Sequence, residues 1–197
     1  MFDFRKYLPL ILLALAALLA FSMCGTYNAT VGKDEAVKKA WSNVENQYQR
    51  RSDLIPNLVN TVKGEAGFEQ GTLTAVVQAR ASATQVKIDA NNLTPENVQR
   101  FEQAQQGLSG ALSRLLVASE NYPNLKTNDS FKNLQAQLEG TENRITVARK
   151  DFNDVVNVYN SSIRRFPTNL MVGMFGFSAK GYFQATPGSD KVPEVKF

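Results

Sequence analysis

The chain has 197 residues, 22 basic and 18 acidic side chains, 43% hydrophobic content and no histidine. Those proportions belong to a folded chain, and setting aside the apolar N-terminus leaves about 170 residues, the size of one domain with its own core. The missing histidine removes the usual neutral-pH base, the commonest metal ligand and every Ser-His-Asp or Cys-His arrangement, and a single cysteine cannot form an internal disulfide.

No GxGxxG or GxxxxGK[ST] phosphate loop occurs. Subtracting Arg5, Lys6 and Asp3 leaves 20 basic and 17 acidic side chains, a net +3. These charges interleave along helical stretches, which marks solvated helix faces and not the basic stripe of a nucleic-acid binder. No nucleic-acid partner, metal, cofactor or catalysis is expected.

Arg5 and Lys6 close a short flank, 1–6, before an 18-residue charge-free run at 7–24. As a helix this run reaches about 27 Å, just short of the ~30 Å hydrocarbon core, so a spanning segment needs extension past Gly25. Three readings stay open: an uncleaved membrane anchor, a lipoprotein acylated at Cys24, or a signal peptide cut after Ser22. The first two share membrane attachment. The positive-inside rule puts Arg5 and Lys6 in the cytoplasm and the large domain on the far, extracytoplasmic side, against a partial counterweight from Lys33, Lys38 and Lys39.

After Gly32, Val37, Trp41, Val44, Tyr48, Ile55, Leu58 and Val62 follow a helical period, giving a helix over about 33–63. Gly64, Gly67 and Gly71 interrupt it. A second helix over 69–89 carries a thin apolar face of Val76, Ala79, Ala83 and Val86. Thr94-Pro95-Glu96 starts a third, over 95–120, with threonine as N-cap and proline at the first helical position. From a cap at Ser130, Phe131, Leu134, Leu138, Thr141, Ile145, Ala148, Phe152, Val155 and Tyr159 form a heptad seam in a fourth helix, 130–166. Short links favour antiparallel neighbours, so the expected fold is an all-α, up-and-down antiparallel four-helix bundle over 25–183, preceded by the anchor helix and followed by a flexible tail, 184–197.

If the first helix rises from the membrane and the fourth returns to it, Arg164, Arg165 and the apolar stretch from Leu170 through Met171, Met174 and Phe175 to Phe177 lie near the bilayer. This stretch either closes the open end of the bundle or makes a membrane or subunit contact.

The densest polar stretch centres on Pro56, which deprives Ser52 O of its helical donor and predicts a kink or break. Arg50 and Arg51 are candidate donors, with Glu45 and Asp53 nearby. Glu142, Asn143 and Arg144 lie mid-way along the fourth helix beside Gly140, expected to permit close helix approach, and Thr141, a polar seam residue that can set register. Glu142 or Arg144 can pair across to Arg50, Arg51 or Glu45. Such a set reads either as a structural polar network or as a notch where arginine forks hold a small anion or lipid headgroup.

The segments NVENQYQRRSDLIPNLVNTVKG (43–64), YPNLK (122–126), LEGTENRITVAR (138–149), YNSSIRRFP (159–167) and GYF (181–183), in that order and spacing, resemble the LemA family over nearly all of 27–183. The resemblance implies an up-and-down four-helix bundle in a bacterial membrane protein without established enzymatic activity, and hints at membrane organisation. Members often carry an aromatic residue after the Lys-Gly of the first segment; Glu65 stands there in this chain. The expected function is non-enzymatic: a membrane-held bundle that presents a polar face to protein partners or to copies of itself.

Overall fold

The computed structural model describes residues 4–184, apart from the side chains of residues 4–6, 16, 19, 20 and 171. The described chain is all-α: α1 Phe4–Lys63, α2 Gln70–Gln85, α3 Pro95–Ser119, α4 Pro123–Thr127, α5 Asp129–Arg164 and α6 Thr168–Phe175. Contacts between side chains give the direction of each long helix. Trp41 meets Phe152 while Arg51 meets Glu142, so α5 descends as α1 rises. Arg80 reaches Ser52 and Lys87 shares a cleft with Glu45, so α2 descends as well. Gln105 reaches Ala83 while Arg100 shares a cleft with Gln85, so α3 rises again.

One expectation fails along α1. The first bundle helix does not begin after Gly32; it is the upper part of a single 60-residue helix that runs from Phe4, about 90 Å at 1.5 Å per residue. Carrying a formed helix across one glycine costs about 1 kcal/mol, whereas ending it and starting another repeats the unfavourable nucleation step. Neither Gly25 nor Gly32 has another group within 4 Å of where a Cβ would stand, so the space around both is open. At Pro56, where a kink or break is expected, α1 is not broken, for a reason given below. Among the described residues no helix is long and apolar enough to cross a membrane; the run at 7–24 is described only in part, since side chains 16, 19 and 20 lie outside the described residues, as does the tail from 185 onward.

Other boundaries follow local chemistry. Thr94 Oγ1 accepts the Asn97 N–H at 3.3 Å, with Pro95 first in α3. The fourth long helix is capped by Asn128 and not by Ser130: Asn128 Oδ1 accepts the Phe131 N–H at 3.1 Å. The second helix stops at Gln85 and not at 89, because Val86, Ile88 and Ala90 alternate with polar residues and pack their apolar side on the core as extended chain. At the bend after α1 the aromatic contact is supplied by Phe68, whose ring lies 4.9 Å from that of Tyr122.

The core has two parts. Val37, Trp41, Val44, Tyr48, Phe101, Phe152 and Tyr159 dominate an aromatic lower cluster. Ile55, Leu58, Val62, Leu73, Leu108, Leu115 and Leu138 dominate an aliphatic upper one. Along α5 the buried residue is Val156 and not Val155. A straight helix drifts about 20° per heptad against a 3.5-residue seam, so after several heptads contact passes to the next position. Gly140, in turn, faces open space and not a neighbouring helix.

A strap of extended chain, 178–184, completes the lower cluster. Asn160 pairs with the backbone of a single residue, Lys180, accepting its N–H at 2.9 Å and donating to its carbonyl at 2.8 Å. Asn153 does the same at Phe183, with both bonds 2.9 Å. The spacings match: seven helical residues and three extended residues each cover about 10 Å. Phe183 stacks on Trp41 with ring planes 13° apart and is 4% exposed. Gly181 donates to Leu93 O at 2.8 Å, and a Cβ there would stand 2.7 Å from Pro95 Cα.

Two substitutions test the strap. Phe183→Ala should lower stability by about 3–5 kcal/mol, the range for deleting a buried aromatic side chain. Gly181→Ala should free the strap, because the Pro95 backbone cannot yield to a methyl group. Urea denaturation reads the first and amide exchange at 178–184 the second; an unchanged exchange pattern in Gly181→Ala contradicts the close approach.

Candidate functional site

The two core clusters are separated by a polar layer centred on Arg51, which is 1% exposed. Its Nη1 donates to Glu142 Oε1 at 2.6 Å and to Ser109 Oγ at 2.8 Å, and its Nη2 donates to Gln105 Oε1 at 2.6 Å and to the Gln105 carbonyl at 3.3 Å. Gln105 Nε2 in turn donates to Ala83 O at 3.4 Å. The Tyr48 ring lies under the guanidinium, 5.0 Å from its carbon. Thr141, fully buried on the seam, donates to Gln137 O at 2.7 Å.

Pro56 explains why the layer recruits α2. The carbonyl of Ser52, four residues before it, accepts a hydrogen bond from Arg80 Nε at 2.9 Å. Neither Arg50 nor Arg51 supplies this donor. A guanidinium from the neighbouring helix fills the vacancy that proline creates in the ladder, and α1 continues without a break. The layer thus ties all four long helices together: α1 through Arg51 and Ser52, α2 through Arg80 and Ala83, α3 through Gln105 and Ser109, and α5 through Glu142.

The remaining sequence candidates do not converge on it. Arg50 is exposed, pointing about 100° around the helix from Arg51. Asp53 is exposed and accepts from Gln49 Nε2 at 2.7 Å. Pro56, Asn143 and Arg144 are exposed, and Arg144 makes no ion pair among the described residues. The Arg51 fork is already filled by a carboxylate and a carboxamide, which leaves no paired guanidiniums for an external anion. Partners missed from sequence are Arg80, Gln105 and Ser109, together with Asn153 and Asn160. The last two, seven residues apart on one face of α5, are the signal that could have revealed the strap.

Two hollows adjoin the layer. One, of about 280 Å³, is lined by Glu45, Tyr48, Ser52, Lys87, Phe101 and Gln105; Ser52 Oγ there is buried without a hydrogen-bond partner. The other, of about 430 Å³, lies between α3 and α5 and includes Leu112, Leu116, Leu138, Glu139 and Glu142. Among the described residues no three or more His, Cys, Asp or Glu side chains gather as a metal group would require. Burial pushes the Glu45 carboxyl above its ordinary value of 4.5, against opposing pulls from the Trp41 indole and the Lys87 charge. The indole nitrogen itself is buried and meets no acceptor at full hydrogen-bond geometry.

The lower end carries the remaining candidates. Arg164 and Arg165 are exposed at the end of α5, and Met171 lies among the side chains outside the description. On α6, Leu170, Met174 and Phe175 are exposed, whereas Val172 and, just past the helix, Phe177 pack on the lower cluster. The stretch therefore closes the core with one face and leaves the other open. Cys24 is exposed.

Two outcomes follow from these environments. Arg51→Ala should cost about 3–5 kcal/mol, since it strips the layer of its shared donor, whereas Glu142→Gln should cost about 1 kcal/mol, because the carboxylate is 44% exposed and an amide oxygen can still accept; the reverse order in urea denaturation contradicts the layer. For Glu45, a folded pKa above the unfolded 4.5 means that the native state holds the extra proton. Stability therefore falls as pH rises through the window above 4.5. Glu45→Gln should be more stable than the parent at neutral pH and equal to it below about pH 4; a parallel offset at all pH values contradicts this environment.

The fold and its polar layer can be set beside known proteins. The chain aligns with "Magnetosome protein MamQ 2" of Paramagnetospirillum magneticum at 27% identity, over 83% of this chain and 66% of that protein, and with "Magnetosome protein MamQ" of Magnetospirillum gryphiswaldense at 26% over the same shares. It thus spans slightly less than two thirds of these relatives. "Protein LemA" of Metamycoplasma hominis aligns at 21% identity over 84% of this chain and 72% of its own length. The model of the LemA family matches residues 40–197, from just before Trp41 through the polar layer and the strap, and the chain belongs to the LemA family.

Proposed function

We propose that this chain is a non-enzymatic, membrane-tethered scaffold: residues 7–24 hold it in a bacterial membrane and the bundle presents its surface, extracytoplasmically, to protein partners or to further copies of the chain. The observation that carries the reading is the character of α1 below the bundle. Leu12, Leu13, Leu15 and Phe21, which point to different sides of the helix, are 57%, 69%, 53% and 83% exposed among the described residues. Four such residues without a protein partner are costly in water and favourable in a bilayer. The names of the magnetosome relatives support a role in organising a bacterial membrane compartment.

Within this reading α1 is one rod that couples the membrane segment to the polar layer, so the bundle has a set height and rotation above the surface. Amide-rich helix faces, from 29 asparagine and glutamine residues, suit hydrogen-bonded contact between copies. An anion or headgroup receptor at Arg51 has less support, since Glu142 already fills the fork.

Alkaline carbonate extraction of cell membranes tests the tether. The full chain and Cys24→Ser should both stay with the membrane, and a chain lacking residues 1–24 should be released. Retention of the shortened chain contradicts the tether, and release of Cys24→Ser contradicts the helical form of it in favour of acylation.

A further inference from the structure

We propose that α6 is a second membrane contact, a short amphipathic foot that lies in the headgroup layer and seats the bundle on the bilayer. The inference rests on the tether reading above and adds a surface to it.

The level of α6 along α1 carries the argument. The charge-free run 7–24 covers about 27 Å, and two further residues, Gly25 and Thr26, bring the helix to the ~30 Å of a hydrocarbon core. Tyr27 then stands at the border between acyl chains and headgroups. Tyr27 is also where α6 docks: its ring lies 5.0 Å from Phe175 and 5.8 Å from Phe177. Trp41, at the centre of the lower cluster, lies fourteen residues up α1, about 21 Å higher. Tyrosine at such a border is the usual interfacial anchor.

The two faces of the segment differ as an interfacial helix requires. Val172 and Phe177 pack against the lower cluster. Leu170 and Met174, spaced by four residues on α6, are 65% and 75% exposed and Phe175 is 46% exposed; Phe166, just before the helix, is 79% exposed. Met23, on α1 just below Tyr27, is 40% exposed, so the open apolar face of α6 continues the apolar surface of α1. Arg164 and Arg165, exposed at the end of α5 next to this face, suit anionic headgroups. A bilayer covers all of these groups at once: apolar side chains reach the acyl border, aromatics sit at it and guanidiniums remain among phosphates. Continuity with the apolar length of α1 favours this occupant over a second copy of the chain.

The test uses the full chain in vesicles of phosphatidylcholine and phosphatidylglycerol. Cys24→Ser provides the background, and Leu13→Cys, Met174→Cys and Val147→Cys each carry a fluorescent label; all three sites are exposed. Nitroxide lipids labelled near the headgroup or deep in the acyl chain act as quenchers. The label at 174 should be quenched several-fold more than that at 147, and more by the shallow nitroxide than by the deep one, while the label at 13 is quenched more by the deep one. If 13 is quenched and 174 behaves as 147 does, the foot is overturned and the tether stands. If neither 13 nor 174 is quenched, both fall. Loss of emission at 174 that follows protein density and not nitroxide content overturns the foot in favour of contact between copies.

Discussion

The guanidinium of Arg51 is the point on which the structure turns. A charge that is 1% exposed is tolerable only if it is paired, and here both terminal nitrogens are taken up by two other helices, Gln105 and Ser109 on α3 and Glu142 on α5, while Nε has no partner. Apolar seams alone permit one helix to slide a turn past another at modest cost, because leucines and valines fit many holes. A buried fork that must meet a carboxylate and a carboxamide at once does not permit it. The proline-opened carbonyl of Ser52 adds the fourth helix through Arg80. The feature that might have broken α1 thus joins α1 to α2.

That register matters because α1 extends far beyond the bundle. A helix that is unbroken from the charge-free run to Lys63 transmits position: the polar layer sets how α5 lies against α1, and the end of α5 sets where α6 and the strap begin. Both return to α1 at the foot of the bundle. Lys180 of the strap meets Asp34 at 3.0 Å and α6 meets Tyr27. Phe183 and the paired asparagines close the aromatic cluster above them. The lower end of the domain is therefore assembled from distant parts of the chain, while the upper end is built from consecutive helices and short turns.

This difference explains what could be read from the sequence. Period and punctuation give the long helices, and local chemistry gives their starts, as at Thr94-Pro95. The aromatic and aliphatic cores follow from the same periods. Interactions between distant residues do not. Arg51 announced itself as a polar residue beside a proline, but its partners lie 54 to 91 positions away, and no local pattern selects Gln105 or Ser109 over other polar residues on α3. Asn153 and Asn160 bond to backbone, so their spacing hints at a partner segment without selecting which residues form it. Glycine misled in two ways. Gly32 suggested a boundary that helix cooperativity removes, and Gly140 suggested a close approach that occurs instead at Gly181. Val155 gave way to Val156 through the drift of a straight helix against a heptad seam.

A scaffold at a membrane needs a defined height, a defined rotation and a surface free for others. The unbroken α1, the Arg51 layer and the strap supply the first two, and the exposed amide-rich faces of the bundle leave the third. Continuity of α1 between the charge-free run and Trp41 is the element that the others cannot replace. Amide hydrogen exchange of the full chain in lipid nanodiscs, followed residue by residue from Ser22 to Val37, measures it directly. The account predicts slow exchange throughout, with protection at Gly25 and Gly32 comparable to that of their neighbours. Fast exchange confined to 25–32 would contradict it, since the bundle would then hang from a hinge and neither its height nor its rotation would be set.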